Sequence, residues 1–368
     1  MKPIKKALVF GDAMIPKTLF KPAYDEFMAP WVEEAVIENW EEDWPTLQNR
    51  RLEVEKRGPE IESIPEPVTA SGKDAEIIMG LFVPISKKVM DVMPSLRIAG
   101  VCRAGLENVN VEEATKKGIL VFNVQGRNAE AVSDFAVGMM IAESRNIARA
   151  HHAIKTGTWR KTFPNSEFVP QLKGKTIGII GFGFIGRLVA RKLSGFNVNI
   201  LVHDPYADPA AIKKLGCTPA DREKLFSESD FITIHARLTD ENKGMAGEKE
   251  IGMMKKTAYL INTGRAGLVN EPALIKALKE NRIAGAALDV FPTEPIPETS
   301  EITTLDNVTL TTHIAGTTTE ALTKSPGLLM EDIEHFLKGE EYRFMVNPEV
   351  LKDKGFAEWF NKVKTQIK

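Results

Sequence analysis

Cysteine is almost missing from this chain. There are two in 368 residues, Cys102 and Cys217, and they have no CxxC spacing. That excludes a disulfide scaffold or a zinc ribbon and fits a reducing compartment. A surplus of basic charge is missing as well. With 48 Lys and Arg against 50 Asp and Glu, the formal charge is −2, so the usual electrostatic footprint of a nucleic-acid binder is absent. Long apolar runs are lacking too. Near the start only Ala7 to Phe10, four residues, are continuously apolar, whereas a membrane span needs about 18 and a signal peptide needs a longer apolar region. The expectation is a cytoplasmic protein with no membrane or nucleic-acid partner, and no metal site is expected.

What is present is the composition of a globular protein, 43% apolar and 27% charged. The length suits two domains of ordinary size. Short apolar runs alternate with helical patterns, the signature of α/β architecture with parallel sheets. "KALVF" (6–10), "EIIMG" (76–80), "RIAGV" (97–101) and "ILVFN" (119–123) read as buried strands. Residues 24–67 differ from the rest: Trp31, Trp40 and Trp44 stand among Glu33, Glu34, Glu38, Glu41, Glu42 and Asp43, before a basic stretch with Arg50, Arg51, Lys56 and Arg57. On periodicity this segment reads as an acidic amphipathic helix covering the first sheet, with a partner-contacting surface as the alternative. "SIPEPV" (63–68) reads as a loop.

From Asn128 to Ala150 one long helical pattern is expected, with Asn128 as N-cap. Six strands follow: "TIGII" (176–180), "NILVH" (199–203), "FITIH" (231–235), "YLINT" (259–263), "AALDV" (286–290) and "VTLTT" (308–312). A last helical pattern over 317–338 precedes a short tail.

"TIGIIGFGFIGRLVARKL" places Gly181, Gly183 and Gly186 in a GxGxxG pattern with Phe184 and Ile185 between them. The pattern alone is weak. It gains weight because it follows an apolar strand, opens a helix, and precedes a second strand that ends in an acid. Glycines permit the tight turn and let backbone N–H groups approach a pyrophosphate. Asp204 lies 18 residues beyond Gly186, where a carboxylate accepts from ribose hydroxyls and repels a 2′-phosphate, which favours NAD over NADP. The competing reading makes "HDPYADP" a plain turn capped by Asp204.

Ligands in open α/β sheets bind outside the carboxyl ends of the strands. The residues at those ends are Gly181, Asp204, His235, Arg265, Asp289 with Glu294, and His313. A cation, a carboxylate and an imidazole suit hydride exchange with a 2-hydroxy acid. Arginine can grip a substrate carboxylate, imidazole can exchange the hydroxyl proton, and a carboxylate can hold the imidazole in place. Each alone has a plainer explanation: Arg265 as a loop residue, Glu294 as a surface acid, His313 as a turn residue. The set carries the argument.

At these residues the chain resembles the D-isomer-specific 2-hydroxyacid dehydrogenase family, the group that includes D-3-phosphoglycerate dehydrogenase. "GFGFIG", "INTGRAGLVNEPALIKAL", "AGAALDVFPTEP", "HIAGTTTEA" and "VNPEV" carry the likeness, which spans roughly residues 75–350. It implies two Rossmann-like, flavodoxin-like doubly wound parallel-sheet domains, with an NAD-binding domain (124–316) inserted into a catalytic, substrate-binding one (1–123 and 317–368). It also implies a homodimer joined largely through the Rossmann domains. The catalytic set falls on Arg265, Glu294 and His313. The cofactor site falls on Gly181, Gly183, Phe184, Ile185, Gly186, Asp204, His235, Ala236, Arg237, Thr263, Gly264 and Asp289, the last matching the nicotinamide-carboxamide contact. Substrate contacts fall on Arg103, Ala104, Gly105 and Arg127.

Three features depart from the family pattern. "RAGLEN" (103–108) is two residues shorter than the usual substrate loop and carries Glu107 for its aspartate. Arg237 replaces a common proline, and residues 24–67 lengthen the segment before "EIIMG". Arg103, Arg127 and Arg237 would suit a phosphorylated or sugar-acid substrate. Besides the dehydrogenase, the same fold allows an NAD(H)-sensing corepressor-like protein, since such binders can keep all three catalytic residues. An NAD-retaining hydrolase or isomerase lacks any supporting nucleophile or metal cluster.

Overall fold

The computed structural model describes residues 2–365. The chain forms two compact units. One combines the amino-terminal part, up to Arg127, with the carboxy-terminal part from Thr318 on; the other is Asn128–Thr317.

The first unit is built on a five-stranded sheet: β1 (Ile4–Gly11), β2 (Val32–Asn39), β3 (Ile77–Gly80), β4 (Ile98–Val101) and β5 (Leu120–Asn123). The order β2-β1-β3-β4-β5 is parallel throughout, the flavodoxin-like order 2-1-3-4-5. Strands β3, β4 and β5 are buried along their whole length, as continuous apolar runs in a sheet covered on both faces require. The helix Ser325–Lys338 buries Leu329, Met330, Ile333, Phe336 and Leu337 in this core. A Cβ on Gly100 of β4 would stand 3.1 Å from Leu329, so the glycine permits the close seat of that helix.

The sequence reading needs four corrections here. Residues 24–67 are not one acidic helix. Val32–Asn39 is the edge strand β2, and Trp44–Arg57 is a separate helix capped by Asp43, whose carboxylate accepts from Thr46 N at 2.9 Å. The β-branched run Val32, Val36, Ile37 decides for strand, and the exposed Glu33, Glu34 and Glu38 give the open edge the charge that discourages pairing with another chain. Second, the 63–68 loop ends early, because Glu66–Ser71 is a short helix. Third, the long pattern after Asn128 breaks into Ala129–Ser144 and Ile147–Lys155 at Asn146, which takes φ +57°. Asn128 is the N-cap by position but makes no side-chain cap bond. Fourth, the tail is structured: Lys354–Thr365 is a helix that buries Phe356, Trp359 and Val363.

The second unit carries a seven-stranded sheet: β6 (Thr176–Ile180), β7 (Asn199–His203), β8 (Thr218–Pro219), β9 (Phe231–Ile234), β10 (Tyr259–Asn262), β11 (Gly285–Leu288) and β12 (Val308–Leu310). Its order is β12-β11-β10-β9-β6-β7-β8, all parallel. The order reverses between β6 and β9, so the crevice beyond their carboxyl ends is the switch point where a dinucleotide binds. The break at Asn146 is held by Arg149, whose guanidinium donates to both oxygens of the fully buried Glu143 at 2.8 Å. Glu143 also accepts from Thr309 Oγ1 at 2.6 Å, which ties these helices to β12. Among the described residues no helix is long and apolar enough to cross a membrane.

Candidate active site

The first strand of the second unit runs straight into the glycine loop. Gly181 takes φ +90°, and a Cβ there would lie 2.5 Å from Ala236 N. A Cβ on Gly186 would lie 2.1 Å from Gly181 O. Both glycines are therefore demanded by the protein's own backbone. Gly183 is different: a Cβ there meets nothing within 4 Å, so its bareness serves space outside the fold. It immediately precedes the helix Phe184–Ser194, whose first N–H groups and positive dipole end suit a pyrophosphate. Phe184 is half exposed at this rim and Ile185 half-buried.

Asp204 follows β7. Its Oδ2 accepts from Phe182 N at 2.6 Å and its Oδ1 from Tyr206 N at 2.9 Å. The carboxylate is thus fixed beside the glycine loop, and it caps its own turn as the plainer reading held. His235 follows β9; its Nε2 pairs with Thr233 Oγ1 at 2.9 Å, while its buried Nδ1 has no hydrogen-bond partner. Burial pushes this imidazole down to about 3, so it stays neutral at physiological pH. Ala236 lies against Gly181, and Arg237 is exposed, its carbonyl accepting from Asn242 Nδ2 at 2.7 Å. Thr263 is buried, with an unpartnered Oγ1.

The three proposed reacting residues come from neighbouring strands. Arg265 follows β10, Asp289 and Glu294 follow β11, and His313 follows β12, so all lie at one edge of one sheet. His313 Nδ1 stands 2.7 Å from Glu294 Oε2, with the ring about a third exposed. Glu294 is itself oriented, because its Oε1 accepts from Phe291 N at 3.0 Å. Arg265 is exposed and extended, and its Nη1 donates to the Gly264 carbonyl at 3.0 Å.

Sequence reasoning missed Asn262. Its Oδ1 accepts from Gly264 N and its Nδ2 donates to Arg265 O, both at 3.0 Å, so one amide shapes the turn that presents Arg265. The signal was an asparagine closing an otherwise apolar strand. Asp289, fully buried, accepts from Thr311 Oγ1 at 2.6 Å, Ile314 N at 3.0 Å and Ala315 N at 2.9 Å. It fastens the loop carrying His313, which has φ +57°.

Arg103, Ala104, Gly105 and Arg127 all belong to the first unit. Arg103 is buried after β4, with Nη2 3.1 Å from Glu107 Oε2 and 3.5 Å from Glu55 Oε1. The Ala104 carbonyl accepts from Asn123 Nδ2 at 2.8 Å. Arg127 donates to Ala321 O at 3.3 Å and Ser325 Oγ at 3.1 Å, and burial lowers its pKa.

A glycine-lined switch point beside a carboxylate-held imidazole and an exposed arginine defines a dinucleotide-dependent oxidoreductase. Residues 137–315 match the family described as D-isomer specific 2-hydroxyacid dehydrogenase, NAD binding domain. A glyoxylate reductase of Thermofilum pendens is 42% identical over 285 residues, 76% of this chain and 83% of that protein. A D-3-phosphoglycerate dehydrogenase of Methanocaldococcus jannaschii is 37% identical over 286 residues, 77% of this chain and 54% of the longer relative. Among solved structures, the apo D-lactate dehydrogenase of Escherichia coli superposes with a TM-score of 0.68 at 27% identity, covering 93% of this chain and 99% of that one. The chain belongs to the D-isomer-specific 2-hydroxyacid dehydrogenase family, and its activity is that of an NAD-dependent D-2-hydroxyacid dehydrogenase.

Proposed function

We propose that this enzyme reduces a small 2-oxo monocarboxylate of the glyoxylate type, with Arg265, Glu294 and His313 as its catalytic residues. The observation that carries the reading is the 2.7 Å His313–Glu294 pair at the same sheet edge as Arg265. Arg265 binds the carboxylate and polarises the adjacent carbonyl. Bound NADH supplies the hydride. His313 Nε2 gives a proton to the forming alkoxide, while Glu294 keeps Nδ1 engaged and stabilises the imidazolium. Glutamate in this position, an acceptor on the ring, suits a reaction in which a substrate proton is exchanged. Arg103, Ala104 and Gly105 are proposed to meet the substrate through their loop.

The phosphorylated or sugar-acid substrate suggested by the arginines finds less support. Arg103 is ion-paired to two glutamates, and Arg127 donates to the 321–325 segment. The decisive experiment follows NADH absorbance across 2-oxo acids, phosphorylated ones included. Turnover that survives both Arg265→Ala and His313→Ala would sink this assignment. Turnover of any 2-oxo acid also separates an enzyme from an NAD(H)-sensing corepressor.

We further assign NADH over NADPH, because the Asp204 carboxylate lies beside Phe182 N in the glycine loop. Repulsion of a 2′-phosphate predicts a preference on the order of 10²-fold in kcat/KM. Asp204→Ala is expected to narrow it, chiefly through the KM for NADPH. An unchanged ratio would remove Asp204 from the cofactor site.

A homodimer is proposed on the second unit's surface. Ile147 and Ile154, seven residues apart on one helix face, are 53% and 58% exposed, and Trp159 is 77% exposed. Light scattering should give twice the 40.8 kDa of the chain, and Ile154→Glu with Trp159→Glu should give a monomer. The two free, buried cysteines fit a cytoplasmic setting.

A further inference from the structure

The helix Trp44–Arg57, part of the segment that lengthens this chain, brings a charged network onto the loop after β4. Glu55 Oε1 lies 3.5 Å from Arg103 Nη2 and 3.9 Å from Arg51 Nε. The Arg103 and Arg51 guanidiniums lie 4.8 Å and 5.8 Å from the centre of the Phe82 ring. On the other side, Glu107 Oε2 is 3.1 Å from Arg103 Nη2. An added Cβ on Gly105 would sit 2.2 Å from that same oxygen, so the Glu107 carboxylate lies directly on the loop.

Two arginines and two glutamates cancel. The cationic shelf that Arg51 and Arg103 would offer to a second anionic group is already filled by carboxylates of the chain. From this geometry we propose that Glu55, with Glu107, is a specificity-determining residue that makes the enzyme discriminate against 2-oxo acids carrying a second carboxylate or a phosphate. The inference rests on the reading of residues 103–105 as a substrate loop. A monocarboxylate leaves the network intact. A dianion must displace a glutamate from a largely buried arginine or stand against its charge, and both oppose binding.

The test compares kcat/KM for glyoxylate, 2-oxoglutarate and 3-phosphohydroxypyruvate in the wild type, Glu55→Gln and Glu53→Gln. Glu55→Gln keeps the side chain's size, removes the carboxylate beside Arg51 and leaves Arg103 balanced by Glu107 without Glu55. It is expected to raise the dianion-to-glyoxylate ratio about tenfold, mainly by lowering the KM of the dianions. Glu53→Gln removes the same charge from an exposed position paired with Lys56 and Arg57, and should leave the ratio unmoved. A ratio unchanged in Glu55→Gln, or equally raised in Glu53→Gln, overturns the proposal. If the wild type reduces none of the three acids, the substrate reading fails and calorimetric titration with inorganic phosphate still decides the filter. Binding about tenfold tighter to Glu55→Gln than to wild type supports it, and equal binding overturns it.

Discussion

Replacing His313 by alanine is expected to lower kcat by about 10²–10⁴-fold, the usual worth of a positioned acid–base group, with the dissociation constant of NADH nearly unchanged. The ring sits at the end of β12, about a third exposed, and its Nδ1 contacts Glu294 at 2.7 Å. Removing it therefore deletes the proposed proton donor without opening a core cavity. Glu294→Gln should fall between the wild type and His313→Ala, because an amide still fills the space but no longer stabilises a charged ring. The glutamine also loses one face of its acceptor pair, since Glu294 bonds both His313 and Phe291 N. Stopped-flow NADH binding and steady-state turnover separate the two effects. A His313→Ala protein that turns over at more than a tenth of the wild-type rate would deprive the ring of its proton-transfer role.

Much of this site was legible because its requirements are local. Gly186 is fixed by a backbone clash within its own strand–helix turn and Gly181 by its φ of +90° there, reinforced by the approach of Ala236 from beyond β9, so a sequence making that turn displays both. Strands β6 and β7 coincide with their expected spans, since Ile177, Ile179, Ile180, Ile200 and Val202 form buried β-branched runs. Other features are set by what lies across space. Strand β2 carries acids at near-helical spacing, and its β-branched residues take strand form against the edge that β1 offers. Strand β8 is two residues long and includes a proline, too short to signal itself. The break at Asn146 lies in an unbroken helical pattern, and its reason is the distant Thr309 together with the buried Glu143–Arg149 pair. The likeness to a substrate loop marked Arg103 but could not show that Glu55, 48 residues earlier, meets it. What the sequence hides most is the pairing of charges.

Asp289→Ala should be the other large loss, and it tests what that carboxylate is for. The family likeness assigns it to the nicotinamide carboxamide, while the structure has both oxygens accepting from the loop that presents His313. The residue is wholly buried, so its removal strands the N–H groups of Ile314 and Ala315 and leaves the Thr311 hydroxyl a long 3.5 Å contact with the Leu288 carbonyl. At about 1–3 kcal/mol for each unsatisfied group, partly relieved by water, a loss of roughly 3–5 kcal/mol in stability is expected. For a unit of this size that lowers the melting temperature by roughly 10 °C. The same bonds hold His313 at φ +57°, a conformation that costs about 1–2 kcal/mol outside glycine. Released, the loop relaxes toward ordinary backbone angles, and kcat should fall by about 10²-fold through misplacement of the ring. Asp289→Asn keeps the shape but turns an amide NH₂ toward one of the donors, so it should fall short of full rescue. If stability and kcat drop together while NADH affinity holds, the carboxylate acts by positioning His313. If NADH affinity alone collapses and the melting temperature stays put, the carboxamide contact is its main work and the loop stands without it.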